Sequence, residues 1–280
     1  MTKITEKFLT LHNGLKMPIL GIGTYRSQDE RTEIEALKFA LKIGYRLIDT
    51  ALYYHNQKII GQALKETKVP REEIFITSKI WVSARSANEA KQQIDLMLDD
   101  LGTKYLDLIL IHWPSNDSVE VYKGLEEYYS LGKVRAIGLT NFFIPQLENL
   151  LPKVKIKPMV NQFEINPLFQ QKELIKYCHS KNIQVTSYLT LMRGQINSLE
   201  LLTEIGNKYK ASPAQVALKW AIKQDIAVIP KSTNKIVIHE YQNLNFFDLS
   251  KEDIFLISEL DDKSKLNWNP EEYAKGFHKL

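Results

Sequence analysis

A (β/α)8 TIM barrel with an N-terminal β-hairpin cap is the fold class that this sequence predicts, on three observations. Strand-like apolar runs start near Ile19, Arg46, Ile74, Leu106, Val134, Pro158, Ile183 and Ile226. From the second run on they recur at intervals of 28, 32, 28, 24, 25 and 43 residues, close to the roughly 30 residues of one βα unit. The runs are nearly continuous Val, Ile and Leu, as suits parallel strands covered on both faces, and helical patterns fill the gaps.

The elements follow in order. Phe8-Leu9-Thr10-Leu11 and Lys16-Met17-Pro18-Ile19 flank a turn containing Asn13-Gly14, a strong hairpin signal. Asp29 to Ile43 is amphipathic, with Ile34, Leu37 and Leu41 on one side and Gly44 at its stop. Arg85 to Leu101 ends at Gly102, and Ser118 to Leu131 ends at Gly132. A helix-like stretch runs from Glu173 to Ser180. The long last interval holds two helical patterns, Ser198 to Lys208 and Pro213 to Lys223. After Ser250 come one more helix and a polar tail with Trp268, which reads either as a flap over a site or as a pin for the tail. No repeat, linker or low-complexity segment interrupts the chain, so residues 1–280 read as one domain.

Composition narrows the function. The 280 residues carry 37 basic and 33 acidic side chains, a net charge of +4. The lysines are scattered and form no basic stripe with interleaved aromatics, so nucleic acid is not an expected partner. A single cysteine, Cys178, excludes an internal disulfide and fits a reducing compartment. Met1 to Thr10 is polar and charged, and no run of 18 apolar residues exists; neither a signal peptide nor a membrane span is expected, and the expected location is cytoplasmic. The six histidines show no close metal-ligand spacing.

Four residues carry the chemical signal. Asp49 closes Arg46-Leu47-Ile48, Lys79 closes Ile74-Phe75-Ile76-Thr77-Ser78, and His112 closes Leu106-Asp107-Leu108-Ile109-Leu110-Ile111. Tyr54 follows the first of these runs. In a barrel of parallel strands those ends share one face, which carries the chemistry. A buried carboxylate and ammonium are costly unless paired, so Asp49 and Lys79 are expected to form an ion pair. A nearby ammonium should lower the pKa of the Tyr54 phenol towards a useful acid. His112 could polarise a carbonyl oxygen. Taken singly, each also reads as structural: an ion pair in a barrel mouth, a packing aromatic with Tyr53 beside it, a satisfied strand-end histidine.

Seven motifs in order remove that ambiguity. They are Gly21-Ile22-Gly23-Thr24, Ile48-Asp49-Thr50-Ala51-Leu52-Tyr53-Tyr54, Thr77-Ser78-Lys79-Ile80-Trp81, Leu110-Ile111-His112-Trp113-Pro114, Ile137-Gly138-Leu139-Thr140-Asn141-Phe142, Val160-Asn161-Gln162-Phe163-Glu164 and Ile229-Pro230-Lys231-Ser232-Thr233. Through them the chain resembles the aldo-keto reductases over nearly its whole length. The resemblance implies reduction of a small carbonyl by hydride from C4 of a nicotinamide. Tyr54 would give the proton, Lys79 and Asp49 would tune it, and His112 would orient the carbonyl. Thr140, Asn141 and Gln162 would hold the nicotinamide carboxamide and Tyr188 would stack on its ring. Leu191, Lys231, Ser232 and Glu240 would complete the cofactor site, with Lys231 and Ser232 on the adenosine side. Tyr25, Trp81 and Trp113 would wall the substrate pocket, suiting 2-oxoaldehydes, aldehydes or keto sugars.

The chain also departs from the family pattern. Tyr188-Leu189-Thr190-Leu191 stands where Tyr-Ser-Pro-Leu is usual, which puts the pyrophosphate contacts in question. Val237 stands where an arginine commonly grips a 2′-phosphate bidentately, so NADPH is the expected cofactor with NADH also usable. Gln57 replaces a glutamate and Tyr241 an asparagine. The resemblance makes a monomer the default. Two other functions compete: a cofactor-binding regulatory subunit of the same fold without turnover, and a lyase or isomerase using Lys79 as a Schiff-base nucleophile.

Overall fold

Register and closure explain how the barrel brings distant residues to one face. The computed structural model describes residues 3–26 and 29–267. A two-stranded antiparallel hairpin, β1 (Phe8–Thr10) and β2 (Lys16–Pro18), precedes eight parallel strands. These are β3 (Gly21–Gly23), β4 (Leu47–Asp49), β5 (Phe75–Ile80), β6 (Leu108–Ile111), β7 (Ile137–Thr140), β8 (Val160–Glu164), β9 (Gln184–Tyr188) and β10 (Ile226–Val228). Each pairs with the next in sequence order. The ring closes where Leu20 bridges Val228 in parallel, where Val228 N donates to Ile19 O at 2.8 Å, and where Gly23 N donates to Pro230 O at 3.0 Å. The result is a (β/α)8 TIM barrel, with every residue of β4 to β8 buried.

The helices start and stop for local reasons. Asp29 Oδ2 accepts from Thr32 N at 2.7 Å and caps α1 (Glu30–Lys42). Ser86 caps α3 (Ala87–Leu101), after α2 (Gln57–Glu66), and Gly102 ends it in the left-handed region at φ 62°. That conformation is easy for glycine and costly for residues with a Cβ. α4 (Ser118–Ser130), α5 (Ile144–Leu150), α6 (Lys172–Ser180) and α7 (Glu200–Tyr209) follow. Ser212 and Gln215 form a capping box at α8 (Pro213–Ile222), with Pro213 where a missing N–H costs nothing. Asn234 caps α9 (Lys235–Gln242) and Ser250 caps α10 (Lys251–Ser258).

Helices α2, α5 and α9 have no counterpart among the patterns read from the sequence. They are 10, 7 and 8 residues long. Helix α7 starts two residues later than its pattern because residues 192–198 form a 3-10 turn with Arg193 at φ 54° and Gly194 at φ 93°. Trp268 lies outside the described residues. No helix among the described residues is long and apolar enough to cross a membrane.

The hairpin plugs the end of the barrel opposite the strand C-termini. Leu9, Leu11 and Met17 are buried against the core. Asn13 Nδ2 donates to Arg135 O at 2.9 Å, and Gly14 turns the chain at φ 86°. With that end closed, the opposite face alone offers access to the strand ends.

Gly23 should be intolerant of a side chain, because a Cβ there would sit 2.8 Å from Ile229 O at the barrel seam. Gly23→Ala is expected to cost about 2–3 kcal/mol by overpacking. Gly14→Ala, with open space around its Cβ, should cost about 1 kcal/mol through φ alone. Urea midpoints of the two variants check the order; a seam variant as stable as the turn variant would contradict the close approach.

Candidate active site

Strand ends and the turns that follow them build the site. Asp49 is the last residue of β4, and the chain then coils through a 3-10 turn, Leu52–Tyr54, which carries Tyr54 back over the barrel mouth. Lys79 lies one residue before the end of β5. The β4–β5 register pairs Asp49 with Thr77, so the long Lys79 side chain extends from the next turn of the pleat towards the carboxylate. His112 follows β6 directly and donates its N–H to Ile80 O at 3.0 Å.

The four side chains converge. Lys79 Nζ donates to Asp49 Oδ1 at 2.5 Å, to Thr50 O at 2.8 Å and to the Tyr54 hydroxyl at 3.4 Å. Asp49 also accepts from Gln162 Nε2, at Oδ2 and 2.8 Å, so one carboxylate ties β4, β5 and β8 together. The His112 ring stands edge-on to Tyr54 at 5.8 Å between centroids and to Trp81 at 5.3 Å. Tyr25 packs on Tyr54 at 4.9 Å, and Tyr53 stacks on Trp81 at 4.0 Å and 17°. The ion pair expected between Asp49 and Lys79 is present with the ammonium fully buried.

The electrostatics differ from the expectation in one respect. Burial, reinforced by the negative charge of Asp49, pushes the Tyr54 phenol well above its ordinary value. The Lys79 ammonium, drawn to Asp49 at 2.5 Å and 3.4 Å from the hydroxyl, does not outweigh that burial. Burial also pulls Lys79 down, opposed by Asp49. Burial, with the positive charge of Lys79 second, holds His112 well below the usual imidazole range. At neutral pH the site therefore presents a protonated phenol and a neutral imidazole beside a buried ion pair.

The second half of the site is polar and faces the same opening. Asp49, Tyr54 and His112 line a cleft of about 630 Å³ whose walls also include Tyr25, Trp81, Trp113, Thr140, Asn141, Gln162, Tyr188, Leu191 and Lys231, while Lys79 is fully buried behind it. Asn141, at φ 65°, donates from Nδ2 to His112 O at 3.1 Å and accepts the Tyr188 hydroxyl at Oδ1, 2.5 Å away. Thr140 Oγ1 and His112 Nδ1 are buried without a protein hydrogen-bond partner. An unfilled acceptor-donor such as Thr140 Oγ1, on the wall next to Asn141 and Gln162, fits an amide-bearing ligand. Leu189, the residue in place of the usual serine, adopts φ 56° on the same wall.

Two residues expected in the cleft are elsewhere. Ser232 Oγ accepts from Asn234 N at the start of α9, and Glu240 Oε1 accepts from Ser212 Oγ at 2.5 Å, fastening α9 to the α8 cap. Neither is among the cleft walls. Val237 lies half-buried on α9, and the neighbouring Lys235 pairs with Glu35 at 3.5 Å. Conversely, Arg26, Tyr53, Tyr241, Leu266 and Asn267 line the cleft and were not singled out as site residues. Tyr53 had a signal, adjacency to Tyr54 in an aromatic pair; Asn267 had none, since its polar tail resembles any solvated segment.

Comparison with known proteins accounts for this arrangement. The family model described as "Aldo/keto reductase family" matches residues 19–262. The chain is 41% identical over 272 residues to a 9,11-endoperoxide prostaglandin H2 reductase of Trypanosoma cruzi, covering 96% of each protein. It is also 41% identical over 263 residues to a glyoxal reductase of Bacillus subtilis, covering 94% of this chain and 95% of that one. Among solved structures, an aldo-keto reductase from a Medee basin deep-sea metagenome superposes with a TM-score of 0.91 at 36% identity, covering 93% of this chain and 97% of that one. An aldo-keto reductase complexed with NADPH superposes at 0.88 with 31% identity, covering 92% of this chain and 89% of that one. A barrel with an acid–base cluster and an amide-lined cleft at its C-terminal face is the form of a nicotinamide-dependent oxidoreductase. The chain belongs to the aldo/keto reductase family.

Two outcomes follow from the geometry. Asp49→Asn leaves a buried ammonium without its counter-charge and should destabilise the fold by about 3–5 kcal/mol. The double variant Asp49→Asn with Lys79→Met should recover much of that loss in urea unfolding; equal stability of the single variant and the native chain would contradict the pairing. His112 is held below its unfolded value, so the unfolded chain gains a proton first as pH falls below about 6.5. Stability should then drop by up to about 1.4 kcal/mol per pH unit. His112→Gln should flatten that part of the pH–stability curve, and an unchanged slope would refute it.

Proposed function

We propose that this protein reduces small aldehydes and ketones to alcohols, with Tyr54 as the proton donor and NADPH as the cofactor, NADH being usable. A bound reduced nicotinamide supplies the hydride. The observation that carries the reading is the half-buried Tyr54 hydroxyl set between the Lys79 ammonium and the His112 edge.

Each residue has a task in that reading. Tyr54 keeps its proton at neutral pH, so it is loaded to donate to an oxygen that becomes an alkoxide. Lys79, fixed by Asp49 and Thr50 O, stands behind the phenol and favours the phenolate left after donation. His112, neutral, can donate a hydrogen bond to the carbonyl oxygen without adding a charge. Thr140, Asn141 and Gln162 hold the carboxamide, and because Gln162 Nε2 is committed to Asp49, its Oε1 is the atom left to accept. Tyr188 and Leu191 flank the ring, and Lys231 meets the phosphate end. Tyr25, Tyr53, Trp81 and Trp113 make an aromatic vestibule that suits compact substrates such as 2-oxoaldehydes, aldehydes or keto sugars.

The test is loss of NADPH and NADH absorbance with methylglyoxal and with a small aromatic aldehyde. Tyr54→Phe should cut kcat by a factor of roughly 10²–10⁴ while leaving the cofactor Kd nearly unchanged. Tight cofactor binding with no oxidation of either carbonyl by the native chain would reject the reading in favour of a regulatory subunit. With Val237 in place of a guanidinium, the Kd values for NADPH and NADH should differ by less than about a hundredfold. Val237→Arg should widen the gap by about tenfold or more; a native ratio already above a hundredfold would show that other groups grip the 2′-phosphate.

A further inference from the structure

The residue after β8's Gln162-Phe163 pair has no task in the reaction and an unusual environment. Glu164 is a carboxylate 3% exposed at the barrel mouth. Its Oε1 accepts from Leu266 N at 2.7 Å and from Asn166 Nδ2 at 3.2 Å, and its Oε2 accepts from Asn267 N at 2.9 Å. Two consecutive backbone N–H groups, about a hundred residues away in sequence, thus converge on one side chain. Burial raises the Glu164 pKa, and the N–H groups from Leu266 and Asn267 oppose that shift.

What the latch holds matters. Asn267 Nδ2 donates to the Tyr188 hydroxyl at 3.0 Å, and that hydroxyl donates to Asn141 Oδ1 at 2.5 Å. Asn141 in turn donates to His112 O at 3.1 Å. A continuous chain of hydrogen bonds therefore runs from the C-terminal segment through the Tyr188 ring to the residue before Trp113. Tyr188 pairs in register with Glu164 on the adjacent strand, so both ends of the device stand side by side. Leu266 and Asn267 also form part of the cleft wall.

We propose that Glu164 is a positioning residue: by clamping Leu266 and Asn267 across the barrel mouth, it sets Asn267 on the Tyr188 hydroxyl and fixes the ring face offered to the nicotinamide. This rests on the reading of the cleft as a nicotinamide site. A glutamine at this position would keep the size but turn one accepting oxygen into a donor facing an N–H, so the clamp would lose at least one of its two backbone bonds. The clamp bears on the nicotinamide half of the cofactor, since its hydrogen bonds run through Tyr188 and Asn141 to the backbone of His112.

Binding of NADPH and of adenosine 2′,5′-bisphosphate, which lacks the nicotinamide, tests this by tryptophan fluorescence on the full chain. Glu164→Gln and Asn267→Ala should each raise the Kd for NADPH roughly fivefold, the worth of one hydrogen bond, and leave the bisphosphate Kd unchanged. In a Tyr188→Phe background, Asn267→Ala should have no further effect on NADPH, because the bond it removes is already gone. Asn267→Ala tests the device even where Glu164→Gln fails to fold. Unchanged NADPH binding in the Asn267 variant, equal weakening of both ligands, or additivity with Tyr188→Phe would overturn the clamp. Failure of the native chain to bind NADPH at all would instead overturn the nicotinamide reading, and the clamp with it.

Discussion

The buried ion pair between Lys79 and Asp49 is the constraint around which the mouth of this barrel is organised. An ammonium removed from water costs several kcal/mol unless a counter-charge and hydrogen-bond acceptors meet it. Here Asp49 Oδ1 and Thr50 O meet it, both from the end of the neighbouring strand. That pairing requires β4 beside β5 in the observed register, which ties the site to the barrel's hydrogen-bond ladder. The other oxygen of Asp49 then takes Gln162 from the far side of the ring. The proposed acid–base group and the proposed amide-binding wall therefore share a carboxylate, and neither half can be displaced without the other feeling it.

The same pair divides charge within the site. Of the four clustered residues these two carry the formal charges, and burial drives the other two neutral: the phenol keeps its proton and the imidazole lacks its second. In the proposed reaction such a site is preorganised, because the developing charge would meet dipoles and an ammonium already in place. The aromatic walls keep the surroundings poor in water-like groups, which strengthens each of these interactions.

Access is set by the two ends of the barrel. The hairpin seals one end with Leu9, Leu11 and Met17, and the loops after the strands shape the other. The C-terminal segment crosses that open end at Leu266 and Asn267, held by Glu164, so the last described residues belong to the cleft wall. Loop residues in left-handed conformations, Asn141 and Leu189 among them, aim backbone and side chains inward where regular structure would not.

Much of this was legible in the sequence. Continuous apolar runs at βα spacing dictate a parallel barrel, and the position of Asp49, Lys79 and His112 at run ends dictates a shared face, because strand C-termini gather at one end of such a ring. The Asp49–Lys79 pairing follows from the cost of burying either alone. Other features were decided by the tertiary structure. The direction of the Tyr54 shift depends on how deeply the phenol is buried and which neighbour Lys79 touches most closely, neither of which spacing encodes. Glu240 meets the Ser212 cap of α8 through the packing of α9 against α8, while Ser232 turns back on Asn234 N just before α9. Asn267 reached Tyr188 only because the chain returns over the mouth, a contact across 79 residues. Sequence patterns report local periodicity and burial; which distant side chains meet is settled when the ring closes.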